Sequence, residues 1–470
     1  MSQKMQSPTK APSLTLPRTS AGEETKGAVA SARPHRLRAA LTSAGLCLFF
    51  LVVYGACNTF TATRDDVGVW VYAWERHIPF VPLMIVPYMS IDLFFVGAPF
   101  LCRDSRQLRV LAGRIVLAIC VAAIFFLLMP LRFSFERPVT GGALGAVFDW
   151  FRSMDLPYNQ FPSLHIALRT ILGDVYARRS SGAWRVAVNV WFSLISASTL
   201  LVYQHHLIDV VGGFALGAVC LYAVSEAPWR TAVTRRGRLA GYYGAAAIVL
   251  TAAALLKTPW TLWLLWPAAS LGVVAGAYLG LGPGVFRKHA GRVPAGARLV
   301  MAWPLLGQWL SWKHYARRSR PWDAIGDQVL LGRALSVAEA HAARAAGVTA
   351  VLDVTGEFSS AFSRLNGCAY LNVPVLDLAA PTRQQIEQSV AFIERQARGG
   401  VVYVHCKAGY SRSAVMVAAY LIRSGAARDA EEAIAILRAA RPGIVIRPEA
   451  AAAIQAYAEE AQRAAPAATI

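Results

Sequence analysis

The chain has 470 residues, 56% of them hydrophobic and only 16% charged, with a mean hydropathy of +0.41, which is too apolar for an ordinary soluble enzyme of this length. Its formal net charge of +20 is spread over segments that flank apolar blocks rather than gathered on one soluble face, which argues against a nucleic-acid partner and for anionic lipid head groups. Seven scattered cysteines, most of them inside apolar blocks, exclude a disulfide framework and suit a reducing compartment.

Residues 1–36 are rich in Ser, Thr, Pro, Ala and Lys, lack a core pattern, and read as a disordered basic tail. Residues 37–284 read as a polytopic α-helical membrane bundle. Apolar stretches near 38–57, 79–101, 108–130, 161–177, 185–204, 206–225, 241–257 and 259–282 are each close to the roughly 20 residues that cross a bilayer, so eight spans are expected. The first block lies too far in and runs too long for a cleaved signal peptide and is expected to remain as a span. Basic residues gather in the tail (Arg33, Arg36, Arg38), then after the second span (Arg103, Arg106, Arg109) and the fourth (Arg178, Arg179, Arg185). They do so again after the sixth (Arg230, Arg235, Arg236, Arg238) and the eighth (Arg287, Lys288, Arg292, Arg298). The positive-inside rule then places both termini in the cytosol, as expected of an integral protein of a bacterial inner membrane.

Ionisable residues within spans are costly and mark functional candidates. His165 opens the fourth span, while His205 and Asp209 flank the turn between the fifth and sixth; by the charge pattern all three face the extracytoplasmic side. With Asp209 one helical turn beyond His205, its carboxylate can orient the imidazole for attack on phosphorus, and His165 can protonate the leaving oxygen. Pro162-Ser163-x-His165, and Ser198 followed seven residues later by His205-x-x-x-Asp209, resemble the second and third motifs of the type 2 phosphatidic acid phosphatase superfamily. Arg137-Pro138 matches the end of its first motif. The resemblance implies that Arg137, Ser163 and Ser198 help to bind the phosphoryl group. The chain departs from the family at Pro130, where a lysine is usual, and at Thr199, where an arginine is usual. Thr199 before Gln204-His205 is similar to the inositol phosphorylceramide synthase branch, whose members move phospho-head groups between lipids. A capped helix bundle without catalysis is the alternative.

Residues 285–312 read as a basic linker with an interfacial segment, since Trp303, Trp309 and Trp312 surround Pro304 in a stretch too short to cross. A cytosolic α/β domain is expected over 313–463, followed by an alanine-rich tail at 464–470. Val348 to Val354 and Ala369 to Val375 read as strands, and 384–398, 414–424 and 428–440 as helices, an alternation that predicts a parallel sheet.

Residues 401–413, Val-Val-Tyr-Val-His-Cys-Lys-Ala-Gly-Tyr-Ser-Arg-Ser, carry the clearest chemistry. An apolar strand ends at Cys406, and the loop His405, Lys407, Ala408, Gly409, Tyr410, Ser411 can curl its backbone N–H groups around one tetrahedral anion ahead of a helix. The same field lowers the thiol pKa of Cys406 for attack on phosphorus. Arg412 can grip two phosphoryl oxygens, Ser413 can assist departure of the thiolate, and Asp377 is the best-placed acid. Cysteine, arginine and serine match the protein tyrosine phosphatase superfamily, specifically its dual-specificity branch. Val402 to Arg423 and Ile444-Val-Ile-Arg447-Pro448 look most like the mitochondrial phosphatidylglycerophosphate phosphatase group, and Trp322 to Arg333 resembles the branch's opening strand. Tyr410 departs from that group, which usually has arginine there.

The expectation is thus a polytopic membrane bundle followed by a cytosolic protein-tyrosine-phosphatase-like domain, with two phosphoryl-transfer sites. The expected substrates are phospholipid phosphates, or phosphoproteins if the bundle is only an anchor. A head-group transferase and a non-catalytic lipid sensor are the remaining alternatives. Each site supplies its own nucleophile and acid, so no metal or other cofactor is expected.

Overall fold

The structure is a computed structural model that describes residues 21–256, 261–365 and 367–464. Residues 1–20 of the expected tail, the junction 257–260 between the last two expected spans, and residues 465–470 lie outside the described residues. Residues 21–36, expected to be disordered, belong instead to a helix, α1 (Ala21–Ala62). The Ala, Glu, Lys and Arg residues that rule out a core there are also good helix formers, and they extend the apolar helix outward.

The helical region continues with α2 (Ile85–Gly97), α3 (Ser105–Leu128), α4 (Gly142–Met154), α5 (Leu164–Arg179), α6 (Gly182–Leu201), α7 (Leu207–Ala223), α8 (Gly237–Leu256) and α9 (Leu265–Gly276). All eight expected blocks form helices. Among the described residues, six segments are long and apolar enough to cross a membrane: His35–Ala62, Pro82–Leu101, Ser105–Leu128, Gly182–Leu201, Gly237–Leu256 and Leu262–Leu281. Helices α5 and α7 are shorter, with 16 and 17 residues. Helix α4 was not expected. It is amphipathic and buries Phe148 and Phe151 against Tyr88 and Val202.

Packing within this region brings α1 onto α3, α2 onto α6, α5 onto α7 and α8 onto α9. The α5–α7 contact depends on Gly213 and Gly217. A Cβ on Gly213 would lie 2.5 Å from the Ser163 carbonyl oxygen, and one on Gly217 would lie 2.6 Å from Thr170 Cβ. Two small residues four apart let the backbones touch, which sets the first turn of α5 against that of α7.

The expected interfacial segment is two helices, α10 (Ala295–Val300) and α11 (Ala302–Ala316). Pro304 is tolerated because it falls in the first turn, where its missing N–H has no intrahelical partner. Trp303, Leu306, Trp309 and Leu310 are exposed, but Trp312 turns inward, its indole N–H donating to the Ala334 carbonyl at 2.8 Å. Helix α11 therefore runs through the expected boundary at residue 313 and joins the two regions.

The C-terminal domain comprises β1 (Trp322–Ile325), β2 (Val329–Arg333), α12 (Val337–Ala345), β3 (Val348–Asp353), β4 (Ala369–Asn372), α13 (Arg383–Ala397), β5 (Val401–Cys406), α14 (Arg412–Arg423), α15 (Ala430–Ala440) and α16 (Pro448–Ala464). The sheet order is β1-β2-β5-β3-β4. It is mixed rather than wholly parallel, because Gly326, at φ +64°, reverses the chain within the expected opening strand and pairs β1 antiparallel to β2. The other pairs are parallel. Central β5 has Val402 and Val404 in the main core with α13 and α14, and Tyr403 on the opposite face.

The two regions are joined by polar contacts. Arg230 Nη1 donates to the Asn372 carbonyl at 2.7 Å, Thr234 Oγ1 to that of Ala380 at 3.0 Å, and the Tyr278 hydroxyl to that of Asp377 at 2.7 Å. Lys288 Nζ inserts beneath β3, 2.6 Å from Asp353 Oδ2 and 3.0 Å from both Thr355 oxygens. Burial alone would raise the Asp353 carboxyl, yet Lys288, His405 and the Thr355 N–H hold it near 2. Burial pulls the Lys288 ammonium below its ordinary value, with Asp353 opposing; the short contact is that of an ion pair. Lys288→Met would leave a buried carboxylate unpaired and is expected to destabilise the C-terminal domain by about 3–5 kcal/mol. Asp353→Asn in the same chain should restore part of that loss in a thermal-unfolding assay. Because the folded carboxyl ionises more readily than the unfolded one, near 3.9, the stability it contributes is complete above about pH 4 and disappears towards pH 2.

Candidate active site

Cys406 ends β5 and Arg412 begins α14, so the loop between them is closed by the sheet at one end and a helix N-terminus at the other. Gly409 has φ +72°, and a Cβ there would lie 2.6 Å from the Gly332 backbone. Only glycine lets the loop turn so close to β2. The Gly409 N–H and the Ser413 hydroxyl each donate to Cys406 Sγ at 3.3 Å. Burial alone would raise the Cys406 thiol, but the Arg412 guanidinium and the hydrogen bonds from Ser413 and Gly409 hold it below the usual cysteine range.

Arg412 is buried and fixed. Its Nη1 and Nη2 donate to Glu357 at 3.2 and 2.7 Å, Nη1 donates to the Val375 carbonyl at 2.8 Å, and Nη2 lies 3.2 Å from Asp377 Oδ1. Asp377 also pairs with Lys407. Burial would raise the Asp377 carboxyl, but Arg412 and Lys407 hold it below the usual range.

The remaining loop residues have distinct surroundings. His405 points away from the cavity, its Nε2 3.8 Å from Asp353 Oδ2. Lys407 Nζ also donates to Gln308 Oε1 of α11 at 2.9 Å. Tyr410 meets Tyr315 edge-on, with ring centroids 5.5 Å apart. Ser411 precedes the first residue of α14, and Ala408 is buried. A cavity of about 400 Å³ opens over the loop, walled by Cys406, Lys407, Arg412, Asp377, Tyr315 and Arg447. The arrangement can hold a phosphoryl group over a thiolate with a carboxyl beside the leaving atom.

Sequence reasoning missed Glu357 and Arg441. Arg441 braces the loop from behind, its Nε donating to the Gly409 carbonyl at 3.0 Å and its Nη1 to Asp323 Oδ2 at 2.6 Å. Arg441 stands three residues before the Ile444 motif and carried no spacing signal of its own.

At the start of α7 the structure brings His205 and Asp209 together, with Nδ1 3.7 Å from Oδ2. The His165 ring stacks on Tyr88, centroids 4.2 Å apart. Arg137 is spent on the loop before His205, donating to the Tyr203 carbonyl and to Gln204 Oε1, both at 2.9 Å. Ser163 caps α5 by accepting from the Ile166 N–H at 3.3 Å, and Ser198 donates to the Ile195 carbonyl of its own helix at 2.7 Å. Both serines thus serve their helices. Glu75, unnoticed in the sequence, accepts from the Leu207 N–H at 2.9 Å and lies 3.2 Å from His206 Nδ1.

Residues 329–460 match the family "Dual specificity phosphatase, catalytic domain". The chain is 41% identical over 98 residues to the mouse phosphatidylglycerophosphatase and protein-tyrosine phosphatase 1, covering 20% of this chain and 49% of that protein. It is 30% identical over 133 residues to Phosphatidylglycerophosphate phosphatase PTPMT1 of Arabidopsis thaliana, covering 27% and 39%. It is also 38% identical over 115 residues to mouse Dual specificity protein phosphatase 12, covering 24% and 34%. The chain thus spans half or less of the length of these curated relatives. The C-terminal α/β domain, with its cysteine at the end of the central strand and its arginine at the head of the next helix, matches the dual-specificity phosphatase catalytic domain, and the phosphatases it resembles support a phosphoric monoester hydrolase.

Proposed function

We propose that this chain is a membrane-bound phosphatase that hydrolyses phosphate monoesters of phospholipids through a cysteinyl-phosphate intermediate on the cytosolic face of a bacterial inner membrane. The observation that carries the chemistry is Cys406 Sγ accepting hydrogen bonds from Gly409 and Ser413 at 3.3 Å beside an arginine fixed by Glu357. The lipid assignment is supported by the relatives named for phosphatidylglycerophosphate and by the basic Lys407, Arg412 and Arg447 around the cavity. The apolar helices of the N-terminal region support the membrane location.

In the first step the Cys406 thiolate attacks phosphorus as the bond to the leaving alcohol oxygen breaks, and protonated Asp377 gives that oxygen its proton. In the resting site Asp377 is held ionised by Arg412 and Lys407. A bound phosphoryl dianion takes Arg412 for itself and places negative charge beside the carboxyl, which favours its protonation. In the second step Asp377 removes a proton from water, the resulting nucleophile attacks phosphorus, and Ser413 donates to the departing Cys406 thiolate. The sum is one ester and one water giving alcohol and inorganic phosphate.

Asp377→Asn is expected to lower kcat about 10²-fold or more and to remove the alkaline limb of the kcat profile, since the acid can no longer deprotonate as pH rises. The deciding assay offers the purified full chain phosphatidylglycerophosphate, phosphatidic acid and a phosphotyrosine peptide side by side. Preference for the peptide with lipid untouched would make it a membrane-anchored protein phosphatase.

A second site, for histidine-based hydrolysis or head-group transfer, is our reading of the helical region. It is supported by the His205–Asp209 approach and by buried polar atoms around it that have no hydrogen-bond partner among the described residues, His165 Nε2, His205 Nδ1, Gln204 Nε2 and Asp209 Oδ1. On this reading it faces the opposite side of the membrane, because α7 carries it about 25 Å from the helix end that meets α10. Transfer rather than hydrolysis would appear as an exchanged lipid product when two lipids are supplied.

A further inference from the structure

A second cavity, of about 390 Å³, lies between α8, α9, α11 and the C-terminal domain. It shares Ser311, Asp377 and Lys407 with the cavity over Cys406, so the two meet at the acid and the loop lysine. Its walls change character along its length. Leu271, Val274, Trp303, Pro304 and Gly307 line the part between α9 and α11, whereas Gln308, Glu357, Asp377 and Lys407 line the part beside the catalytic loop. The surface beyond the apolar part carries exposed Trp263, Trp266, Trp303, Leu306 and Leu310, with the Trp263 and Trp266 rings 6.1 and 6.0 Å from that of Trp303. An exposed apolar surface of this kind suits contact with the hydrocarbon of a bilayer.

We propose that this second cavity is an acyl-chain site. It receives one hydrocarbon chain of a phospholipid phosphate from the bilayer between α9 and α11 while the phosphoryl group lies over Cys406. The inference rests on the reading of the substrate as a phospholipid phosphate. Its volume is within the range of small-molecule sites, and its gradient from hydrocarbon to charge matches an amphiphile entered tail first. A phosphopeptide carries its phosphate on a short side chain close to a hydrogen-bonding backbone, whose N–H and C=O groups the Leu271–Val274–Trp303 walls would leave unpaired. The helical region would then set substrate choice for the phosphatase domain. It reaches the chemistry at two points, through Gln308 on Lys407 and through Tyr278 on the Asp377 carbonyl.

Gly307 supplies the test, because it lines the cavity and a Cβ there would meet nothing within 4 Å, so a side chain can start from this wall without a clash at its first carbon. The full chain in lipid nanodiscs, as wild type, Gly307→Trp and Leu271→Gln, is assayed on dioleoyl phosphatidylglycerophosphate and on p-nitrophenyl phosphate. Both variants are expected to lose about tenfold or more in kcat/KM on the lipid, equivalent to about two methylenes left unburied, with the aryl phosphate unaffected. Undiminished lipid turnover in both variants would overturn the acyl-chain site. Equal loss on both substrates would also overturn it, by showing that α9 and α11 only support the catalytic loop. A wild-type chain that turns over the aryl phosphate but not the lipid would overturn the substrate reading itself, and this site with it.

Discussion

Cys406→Ser is expected to lower phosphate monoester hydrolysis by the C-terminal domain about 10⁴-fold or more, because it removes the nucleophile rather than a group that assists it. The surroundings of Sγ are built for a thiolate. Arg412, the Ser413 hydroxyl and the Gly409 N–H together outweigh the cost of burying its charge. That same field leaves a serine hydroxyl protonated, since the alcohol starts many pH units higher, and the imidazole of His405 points away from the position of Sγ, towards Asp353. Phosphate affinity should survive, because the cradle and Arg412 are untouched, so calorimetric titration with inorganic phosphate separates lost chemistry from a lost fold. Lipid turnover that persists in Cys406→Ser and vanishes on adding His205→Ala would belong to the histidine site. Wild-type rates on every substrate in Cys406→Ser would end the cysteine mechanism.

The part of this site that could be read from sequence is the part that is contiguous. Cys406, Gly409, Arg412 and Ser413 fall within one strand–loop–helix unit, where spacing alone brings their functional atoms together. Asp377 was within reach because it follows an apolar segment that ends near the same edge of the sheet. Glu357, Arg441 and Lys288 were not, although each is buried and paired to a central group. They come from separate loops, and an ordinary acidic or basic residue in a loop carries no sign of what it will meet. The hairpin of β1 and β2 was missed for a related reason, since Asp327 and Gln328 beside Gly326 make only a weak turn signal inside an apolar run. In the helical region the blocks were legible from hydropathy, but α4 was passed over, because its 13 residues are amphipathic and too short to register as a span. Nor could sequence show that Ser163 and Ser198 are occupied by their own helices, because hydroxyl orientation depends on the finished packing.

Arg412→Lys is expected to reduce kcat about 10³-fold while preserving the charge. The difference lies in the fork: Arg412 meets Glu357 with two nitrogens and still turns an edge towards Asp377 and the loop. An ammonium presents one point of charge and cannot hold Glu357, the Val375 carbonyl and a phosphoryl group in one plane. Glu357 is then left under-paired in a buried position, so some loss of stability should accompany the lost rate. Titration of Cys406 distinguishes these effects. Arg412 is the largest influence holding the thiol down, so displacing its charge moves the thiol pKa upward, and the onset of iodoacetamide inactivation should shift to higher pH in the variant. The acid limb of kcat/KM on p-nitrophenyl phosphate should shift in the same direction. A lost rate with an unmoved inactivation profile would confine Arg412 to gripping the transferred phosphoryl group, leaving Ser413 and Gly409 as the groups that activate the thiol.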